Sequence, residues 1–504
     1  MSYRETYGLK SDWWKSTKLS YVFDDAWFKA FEAIDPRLKI TDNHHPKSVY
    51  VDEAPTDMGI VFWHEPDGKT ILPVGLVCRF GDQNVFCYHP EYARDPDTCA
   101  ISKTLPKSQV LHENTDKDAL LPFFDNLVSE GWLGHAQTNA YQTHHQYGRL
   151  SEEGFAKADN GRQRFERLVT FGTGFHGAVS VIDVTVTDLH LDREEREVRQ
   201  ALASRATLTG AQPKMLAIED TDQDGTPVFR PAKRQETSTR IIKIGQSQYR
   251  NIVPNEYLNI VATRALIPND PVNEANLSTM KTEHGETPVI VLDRFDRTPE
   301  GGRVHFEEAL AMIGEIAKYK YSPTYKQLGQ LTRELAGEEE VKRLFRRILA
   351  HWVLGNTDGH WKNFAFWNQN GKWELTPNYD LVSADEYANR ENRANKGLPM
   401  RINGMRGERT KDIGEVDAKL VFDLGKALAL PNDVIYLEVN AIKEHIPDAI
   451  AALRAVNDPL VDEKYKAQFI ANLERRANGQ YSTLERYWRH IASKENGNGR
   501  ANGL

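Results

Sequence analysis

Residues 351–381 read HWVLGNTDGHWKNFAFWNQNGKWELTPNYDL, and this stretch decides the fold. It begins inside a segment, 338–354, whose apolar residues recur at helical spacing, so a helix packed on a core is predicted there. Gly355 is expected to end that helix. Residues 356–360 (NTDGH) are too polar and turn-prone to continue a buried helix, so they are predicted to form a loop.

A β-hairpin is predicted immediately after this loop. Residues 364–367 (FAFW) and 373–376 (WELT) have the composition of paired strands, and Asn370-Gly371 between them is a strong hairpin signal. Pro377 and Asn378 end the second strand. An acidic loop, Tyr379-Asp380-Leu381, follows.

The polar residues of this stretch have the spacing of a kinase catalytic loop. Asp358 and Asn363 are five residues apart, as are the Asp that accepts the substrate proton and the Asn that holds a metal in kinases. Asp380 returns after the hairpin, where kinases place a magnesium-binding Asp. Lys362 is a candidate to face the transferring phosphate, and His360 to brace the loop. A lone Asp-x-His is usually a solvated turn, but the joint pattern favours phosphoryl transfer.

Composition sets the broader limits. The chain has 504 residues, a net charge of −8 and a pI of about 6.1, so a basic nucleic-acid-binding face is not expected. Cys78, Cys87 and Cys99 match no zinc spacing and are expected to be reduced thiols. The sequence shows no signal peptide and no apolar run of membrane-spanning length, so a cytoplasmic protein without membrane contact is expected.

A candidate phosphate loop lies at residues 207–215, TLTGAQPKM. Its small and polar residues leave backbone N–H groups accessible to phosphate oxygens, and a lysine adds charge. The candidate ligand residues are Thr209, Gly210, Ala211, Gln212 and Lys214. Lys243 follows in the apolar strand 238–245 (STRIIKIG), where a lysine needs a partner such as ATP phosphate. The alternative for Lys243 is an outward-facing strand residue.

Two further segments have alternative interpretations. Residues 171–178 (FGTGFHGA) fit G-x-G-x-x-G, but they lead into a β-branched run, so a turn before a strand is predicted rather than a dinucleotide site. Residues 287–297 (TPVIVLDRFDR) are an apolar strand ending in Asp293-Arg294-Phe295-Asp296. This segment is either a hinge that holds adenine or an ordinary buried strand end.

The order of elements predicts the architecture. Strand patterns dominate from residue 48 and helical patterns dominate beyond residue 306. The predicted fold class is α+β, a two-lobed protein-kinase-like fold with a β-rich N-terminal lobe, an extra N-terminal subdomain and an all-helical C-terminal lobe. The predicted segments are an extension (1–50), an N-terminal subdomain (51–150), a kinase N-lobe (151–300), a helical C-lobe (301–492) and a disordered tail (493–504).

With these parts in place, residues 74–404 resemble the HipA family of bacterial serine/threonine kinases, the toxin half of a toxin–antitoxin pair. The resemblance lies in VGLVCRF, ISKTLP, FFDNLVSEGW, FGTGFHGAVSV, GAQPK, IIKI, LDRFDR, GNTDGHWKNF, LTPNYDL and MRINGMRG. Any single piece is unspecific, and the joined set is specific.

The resemblance implies roles for individual residues. Asp358 is then the catalytic base, and Asn363 and Asp380 hold Mg²⁺. Lys243 and the loop from Gly210 to Lys214 bind ATP phosphates, while Asp293 and Phe295 flank adenine. Family members autophosphorylate a Ser just before the Gly-Ala-Gln loop, which silences the kinase. This chain has Thr207 and Thr209 there, and Asp293 where the family often has Glu.

The resemblance also implies partners. These are a protein substrate, in known cases an aminoacyl-tRNA synthetase, and a helix-turn-helix antitoxin through which DNA is contacted only indirectly. Two other functions remain open from the residues. A small-molecule phosphotransferase of the antibiotic-kinase type also uses Asp-x-His-x-x-Asn, present as Asp358, His360 and Asn363. A non-catalytic partner of a repressor is the third.

Overall fold

The structure is a computed structural model of the 504-residue chain. It describes residues 2–10, 23, 25–38, 57–128, 160–170, 172–183, 214–221, 223, 227–232, 236–245, 249–282, 285–369, 371–387, 396–404 and 411–501. Helices and strands are numbered in chain order.

The α-helices are α1 (Tyr3–Tyr7), α2 (Asp25–Glu32), α3 (Pro90–Arg94), α4 (Pro122–Leu127), α5 (Gly161–Thr170), α6 (Ile252–Leu266), α7 (Ala309–Met312), α8 (Tyr325–Ala336), α9 (Glu338–Leu354), α10 (Ala418–Ala427), α11 (Asn432–Ala455), α12 (Glu463–Tyr481) and α13 (Leu484–Ala501). The strands are β1 (Leu9–Lys10), β2 (Asp57–His64), β3 (Thr70–Phe80), β4 (Gln83–Tyr88), β5 (Leu111–Asn114), β6 (Val179–Asp183), β7 (Lys214–Thr221), β8 (Pro227–Pro231), β9 (Arg240–Ile244), β10 (Ala275–Thr282), β11 (Gly285–Asp293), β12 (Phe306–Glu308), β13 (Ala365–Gln369) and β14 (Lys372–Leu375).

The chain divides into two compact units. The first contains residues 1–243 and 293–318, and the second contains 244–292 and 319–504. The predicted boundaries differ from this division, because residues 293–318 belong with the first unit and 244–292 with the second. The predicted boundaries were placed where strand-rich patterns give way to helix-rich ones. Such boundaries cannot show that each unit is made of two separate segments of the chain.

The first unit is built on an antiparallel sheet in the order β5-β4-β3-β2-β6. β3 is buried almost throughout, since apolar side chains cover both faces of the sheet. On one face α4 and α5 contribute Phe124 and Phe165 to the core. On the other face α2 contributes Trp27, which is 1% exposed. The aromatic residues of α2 are therefore core residues.

The N-terminal segment is joined to the sheet by hydrogen bonds as well as by packing. Strand β1 pairs antiparallel with β3, with Leu9 opposite Ile71. The Tyr3 hydroxyl donates to the Pro73 carbonyl oxygen at 2.8 Å. The part of residues 1–50 that the structure describes thus belongs to the first unit.

The glycine-containing turn at 172–178 leads directly into β6, which confirms the predicted turn before a strand. Gly177 has a φ of 69°, a backbone conformation that favours glycine. The N–H of Gly177 donates to the Asp296 carboxylate at 2.7 Å. The turn is therefore fixed by a side chain of the same unit.

The second unit is mainly helical. Helix α9 has the bounds that the sequence predicts, and it packs against α8, α11 and α12. The hairpin is also confirmed, since β13 pairs with β14 from Phe366–Leu375 to Gln369–Lys372. An all-helical C-terminal lobe is therefore wrong: this hairpin and the β10–β11 pair belong to the second unit.

Two other expectations differ from the structure. Residues 306–318 lie where helical patterns were predicted to begin, but they form β12, the short α7 and a 3-10 turn, because Gly314 has a φ of 77° and interrupts the helix. The predicted disordered tail is helical up to Ala501. Helix α13 begins in an amphipathic segment and continues into the tail. Its Trp488 stacks on Tyr436 of α11, with ring centroids 4.8 Å apart. Among the described residues, no helix is both long enough and apolar enough to cross a bilayer.

Candidate active site

The candidate catalytic loop begins where α9 ends. Gly355 has a φ of 79° and caps the helix through hydrogen bonds from its N–H to His351 and Trp352 carbonyls. An added Cβ at Gly355 would lie 2.4–2.6 Å from Asp385 and Arg476 atoms. Both the conformation and the space therefore require glycine, and the chain leaves the helix in one fixed direction.

Side chains of the loop hold its turn. The Asn356 carboxamide oxygen accepts the Asp358 N–H at 3.0 Å, and the Asp358 carbonyl accepts the His360 N–H at 2.7 Å. Asn356 and His360 are buried, whereas Asp358 is exposed. The turn therefore exposes the Asp358 carboxylate while the residues on either side of it are buried. A proton acceptor for an incoming hydroxyl requires this placement.

Asn363 and Asp380 meet across the hairpin. The Asn363 Nδ2 donates to Asp380 Oδ2 at 2.8 Å, although the two residues are 17 positions apart. The other end of the amide, Oδ1, accepts the His360 N–H at 3.0 Å. The structure thus brings together Asp358, His360, Lys362, Asn363 and Asp380 on one loop and the end of one hairpin.

The backbone at Asp380 is unusual. Its φ is 57°, in the left-handed region that few residues other than glycine adopt. Such conformations cluster at functional sites, because the surrounding structure must impose them. The preceding Tyr379 donates its hydroxyl to the Lys362 carbonyl at 2.7 Å, which ties the acidic loop to the catalytic loop.

A residue that the sequence did not indicate contacts the candidate base. The Tyr321 hydroxyl donates a hydrogen bond to the Asp358 carboxylate. The Tyr321 ring lies edge-on to His360, with centroids 5.0 Å apart. Since Tyr321 is 37 positions before Asp358, no local pattern in the sequence could reveal this contact.

A cluster of charged side chains next to α9 supports the candidate site. Asp270 binds Arg347 of α9 at 2.5 and 2.6 Å and Arg343 at 2.5 Å. Arg347 also donates to the Thr376 carbonyl, at the end of β14. Burial by itself raises the pKa of Asp270, but Arg347 and Arg343 outweigh it and hold the pKa below its ordinary value. The carboxylate is therefore charged and fixes β14 against α9.

A second buried contact positions the acidic loop. His351 Nε2 lies 3.1 Å from Asn378 Oδ1. Burial lowers the pKa of His351 to about 4, so the imidazole is neutral near pH 7 and Nε2 is the donor. The Asn378 backbone also pairs with Pro271 and Asn273 through hydrogen bonds of 2.7 and 2.9 Å. Asp380 thus follows a segment that is held on two sides.

The first unit carries the candidate phosphate-binding lysines. β7 and β9 pair antiparallel with Lys214 directly opposite Lys243. Lys214 is exposed, and Lys243 is only 9% exposed. Like charges placed opposite each other in a sheet repel, so this pair is favourable where an anion lies nearby. Residues 207–213, which include Thr207, Thr209, Gly210, Ala211 and Gln212, lie outside the described residues.

The candidate hinge residues belong to the first unit. Asp293 pairs with Arg240 at 3.3 Å, and Phe295 packs against Phe306 with ring centroids 5.1 Å apart. Between them, Arg294 is buried and binds Asp296 at 2.9 Å. The alternation in this segment therefore has a structural reason: Arg294 and Asp296 face the interior, while Asp293 and Phe295 are partly exposed.

The oxygen atoms of Asn363 and Asp380 are of the type that magnesium prefers as ligands. Magnesium prefers a few hard oxygen ligands and completes its shell with water and phosphate oxygens. Asp380 offers a carboxylate and Asn363 an amide oxygen with a second lone pair beyond the one that His360 uses.

Comparison with known proteins assigns the family. Residues 206–456 match the HipA-like C-terminal domain model, and residues 70–182 match the HipA N-terminal domain model. The chain belongs to the HipA family. The range 206–456 includes all of the candidate site residues that the sequence predicted, from Thr207 to Asp380.

Sequence relatives of this HipA-family chain carry kinase names. A putative kinase, Y4dM, from Sinorhizobium fredii is 27% identical over 335 residues, which cover 64% of this chain and 77% of the relative. The serine/threonine-protein kinase toxin HipA of Shewanella oneidensis is 25% identical over 299 residues, which cover 54% of this chain and 64% of the toxin.

A solved structure supports the fold. HipA in the complex of the Shewanella oneidensis toxin–antitoxin system with HipB and operator DNA superposes with a TM-score of 0.62. The match has 20% sequence identity and covers 84% of this chain and 98% of the HipA chain. This HipA-family chain therefore has the mixed helix-and-sheet, kinase-like fold of that protein.

Proposed function

We propose that this protein is an ATP-dependent serine/threonine-protein kinase of the HipA type. The observation that carries the proposal is the meeting of Asn363 and Asp380 at 2.8 Å beside a loop that presents Asp358 outward. Phosphoryl transfer needs positioning and charge stabilisation more than covalent chemistry, so one proton acceptor and one metal-binding pair suffice in the catalytic loop.

Each residue has a role in this proposal. Asp358 accepts the proton of the Ser or Thr hydroxyl as that oxygen attacks the γ-phosphate of ATP. Asn363 and Asp380 hold Mg²⁺, which when bound neutralises charge on the phosphate oxygens. His360 fixes the Asn363 amide through its own N–H. Lys362 faces the transferring phosphate.

The first unit supplies the nucleotide contacts in the same proposal. Lys243 and Lys214 bind ATP phosphates together with Thr209, Gly210, Ala211 and Gln212. Asp293 and Phe295 flank the adenine. Thr207 or Thr209 is the autophosphorylation site that silences the enzyme. The substrate is a protein, for which a translation factor or an aminoacyl-tRNA synthetase is the candidate class.

The partner proposed is a helix-turn-helix antitoxin, so the chain is the growth-arresting half of a toxin–antitoxin pair. Support comes from the similar Shewanella oneidensis structure, in which HipA is in complex with HipB and operator DNA. Because this chain carries a net charge of −8, its contact with DNA is proposed to run through the antitoxin only.

Transfer of label from γ-labelled ATP tests the proposal. The purified chain is incubated with magnesium and labelled ATP, and acid-stable label is located by mass spectrometry on Ser or Thr. Wild type should become labelled, and Asp380→Asn should not, because the cation loses its only carboxylate among the described site residues. Equal labelling of both proteins would contradict the proposal.

A coupled ADP-release screen separates the protein kinase from the small-molecule alternative. Aminoglycosides and other hydroxyl-bearing small molecules should leave the ADP-release rate unchanged. A small molecule that accelerates ADP release in wild type but not in Asp380→Asn would assign the chain to the antibiotic-kinase type. Nucleotide binding without any phosphoryl transfer would favour the third function, a non-catalytic partner of a repressor.

A further inference from the structure

The first unit contains a cavity, lined by apolar and polar side chains, that the proposed kinase reaction does not use. Its volume is about 50 Å³, which corresponds to about four water molecules. Phe62, Ile71 and Ile182 form its apolar part. Its polar lining consists of His64, Glu65, Thr70, Thr173, Ser180, Thr237 and Arg303.

Arg303 is the cation in this lining, and it is only 4% exposed. Its two terminal nitrogens donate to the carbonyls of Thr173 and Val179 at 2.8 and 3.4 Å. Its Nε is buried and has no hydrogen-bond partner. Because a buried polar group without a partner is costly, the described protein groups do not fully compensate this guanidinium group.

The charges around Arg303 do not balance. Arg294 and Arg297 are 2% and 3% exposed in their side chains, and both pair with the same carboxylate, Asp296, at 2.9 and 2.7 Å. Within the part of the chain that the structure describes, no ion pair reaches Arg303. The three buried guanidinium groups are thus accompanied by one buried carboxylate, which pairs with Arg294 and Arg297 but not with Arg303.

This excess of buried positive charge contributes to a lowered pKa at both Arg303 and His64. Burial, followed by the positive charge of Arg294, lowers the pKa of Arg303 to about 9. Burial, with Arg303 and Arg297 adding to it, holds the pKa of His64 well below its ordinary value. His64 is therefore a neutral imidazole, and it lies 2.7 Å from the Ser180 hydroxyl. The rim carboxylate of Glu65 is already paired with Arg4 at 2.8 Å.

We propose that the cavity beside Arg303 binds one phosphate-sized oxyanion, such as inorganic phosphate or sulfate. The guanidinium group of Arg303 and the hydroxyl-bearing side chains of Thr173 and Thr237 belong to the residues that line it. A guanidinium group matches such an oxyanion in charge and in donor geometry. The bound anion compensates the excess positive charge and links β2 and β6 to the turn that precedes Arg303.

Two glycines that line the cavity lie in close backbone contact with other turns. An added Cβ at Gly68 would lie 2.2 Å from the Glu300 carbonyl oxygen, and one at Gly302 would lie 2.1 Å from the Pro66 carbonyl oxygen. The Thr298 hydroxyl also donates to the Pro66 carbonyl at 3.0 Å. Two turns are therefore packed backbone to backbone at the mouth of the cavity.

Isothermal titration of the full chain with inorganic phosphate tests this site, with chloride at matched ionic strength as the blank. Wild type should bind phosphate, and its thermal midpoint should rise with phosphate concentration. Arg303→Gln should weaken binding by about tenfold or more, because a charge-assisted contact is lost. Thr173→Val and Thr237→Val should each weaken it with the fold intact, whereas Thr279→Val, in an exposed position of β10, should not.

Lys243→Met distinguishes this cavity from the proposed nucleotide site. Phosphate affinity should be unchanged in Lys243→Met, whatever happens to ATP binding. The proposal is overturned if wild type binds no phosphate. It is also overturned if Lys243→Met loses binding while the Thr173→Val and Thr237→Val proteins retain it.

Discussion

The hydroxyl of Tyr321 donates a hydrogen bond to the carboxylate of Asp358. A hydroxyl hydrogen-bonded to the catalytic carboxylate is also what a Ser or Thr acceptor must provide. Tyr321 therefore competes with the proposed substrate hydroxyl for the Asp358 carboxylate.

Tyr321→Phe should consequently raise the efficiency of phosphoryl transfer. The phenylalanine keeps the ring contact with His360 but removes the competing hydroxyl, so kcat/KM for a protein acceptor should rise about threefold to tenfold, the worth of one hydrogen bond. Initial rates over a range of acceptor concentrations measure this. A lower kcat with unchanged KM would instead mean that Tyr321 braces the catalytic loop.

The ion cluster at Asp270 should be essential for stability. Asp270→Asn leaves the buried Arg347 without a countercharge, while Arg343 keeps its pair with Glu340, so the free energy of unfolding should fall by about 3 kcal/mol at pH 7. Urea denaturation measures it, and Asp82→Asn, whose side chain is 73% exposed, is the control. A loss no larger than in the control would show that the cluster contributes little.

Glu307 should make stability depend on pH. This buried side chain accepts hydrogen bonds from the Ser102 hydroxyl at 2.5 Å and the Lys103 N–H at 3.0 Å. Burial raises its pKa from 4.5 to about 7. Between these values the folded state keeps a proton that the unfolded chain has released. The free energy of unfolding should therefore fall as pH rises through this window, by about 3 kcal/mol in total.

Glu307→Gln should remove this dependence. The glutamine amide donates to Ser102 and its oxygen accepts the Lys103 N–H, so the neutral pattern is kept at every pH. Urea denaturation at pH 5 and pH 8 should show a smaller difference for Glu307→Gln than for wild type. Glu339→Gln, whose side chain is 85% exposed, should behave like wild type. Parallel pH profiles of wild type and Glu307→Gln would refute the assignment.

Local patterns in the sequence were sufficient to predict the helix end and the hairpin that flank the candidate catalytic loop. Helix α9 ends at Gly355 as predicted, because apolar spacing and a glycine stop are both local signals. The hairpin from 365 to 375 has a local turn signal as well. Since loop and hairpin are consecutive, their lengths alone bring Asn363 and Asp380 together.

Long-range relations could not be predicted in the same way. The Tyr321–Asp358 contact and the Asp270–Arg347 pair join residues 37 and 77 positions apart. Arg294 and Asp296 were predicted only as part of a hinge motif, and their burial depends on a turn 119 positions earlier. The 306–318 segment was predicted as a helix because its period is helical, but the positive φ of Gly314 overrides that period.

The most direct test of the proposed chemistry is Asp358→Asn, measured for nucleotide affinity and for phosphoryl transfer in the same preparation. The amide keeps the shape of the carboxylate but accepts no proton, so transfer should fall by about 100-fold or more while ATP affinity stays unchanged. Asp448→Asn, at an exposed position of α11, is the control. Transfer at the wild-type rate by Asp358→Asn would contradict the account.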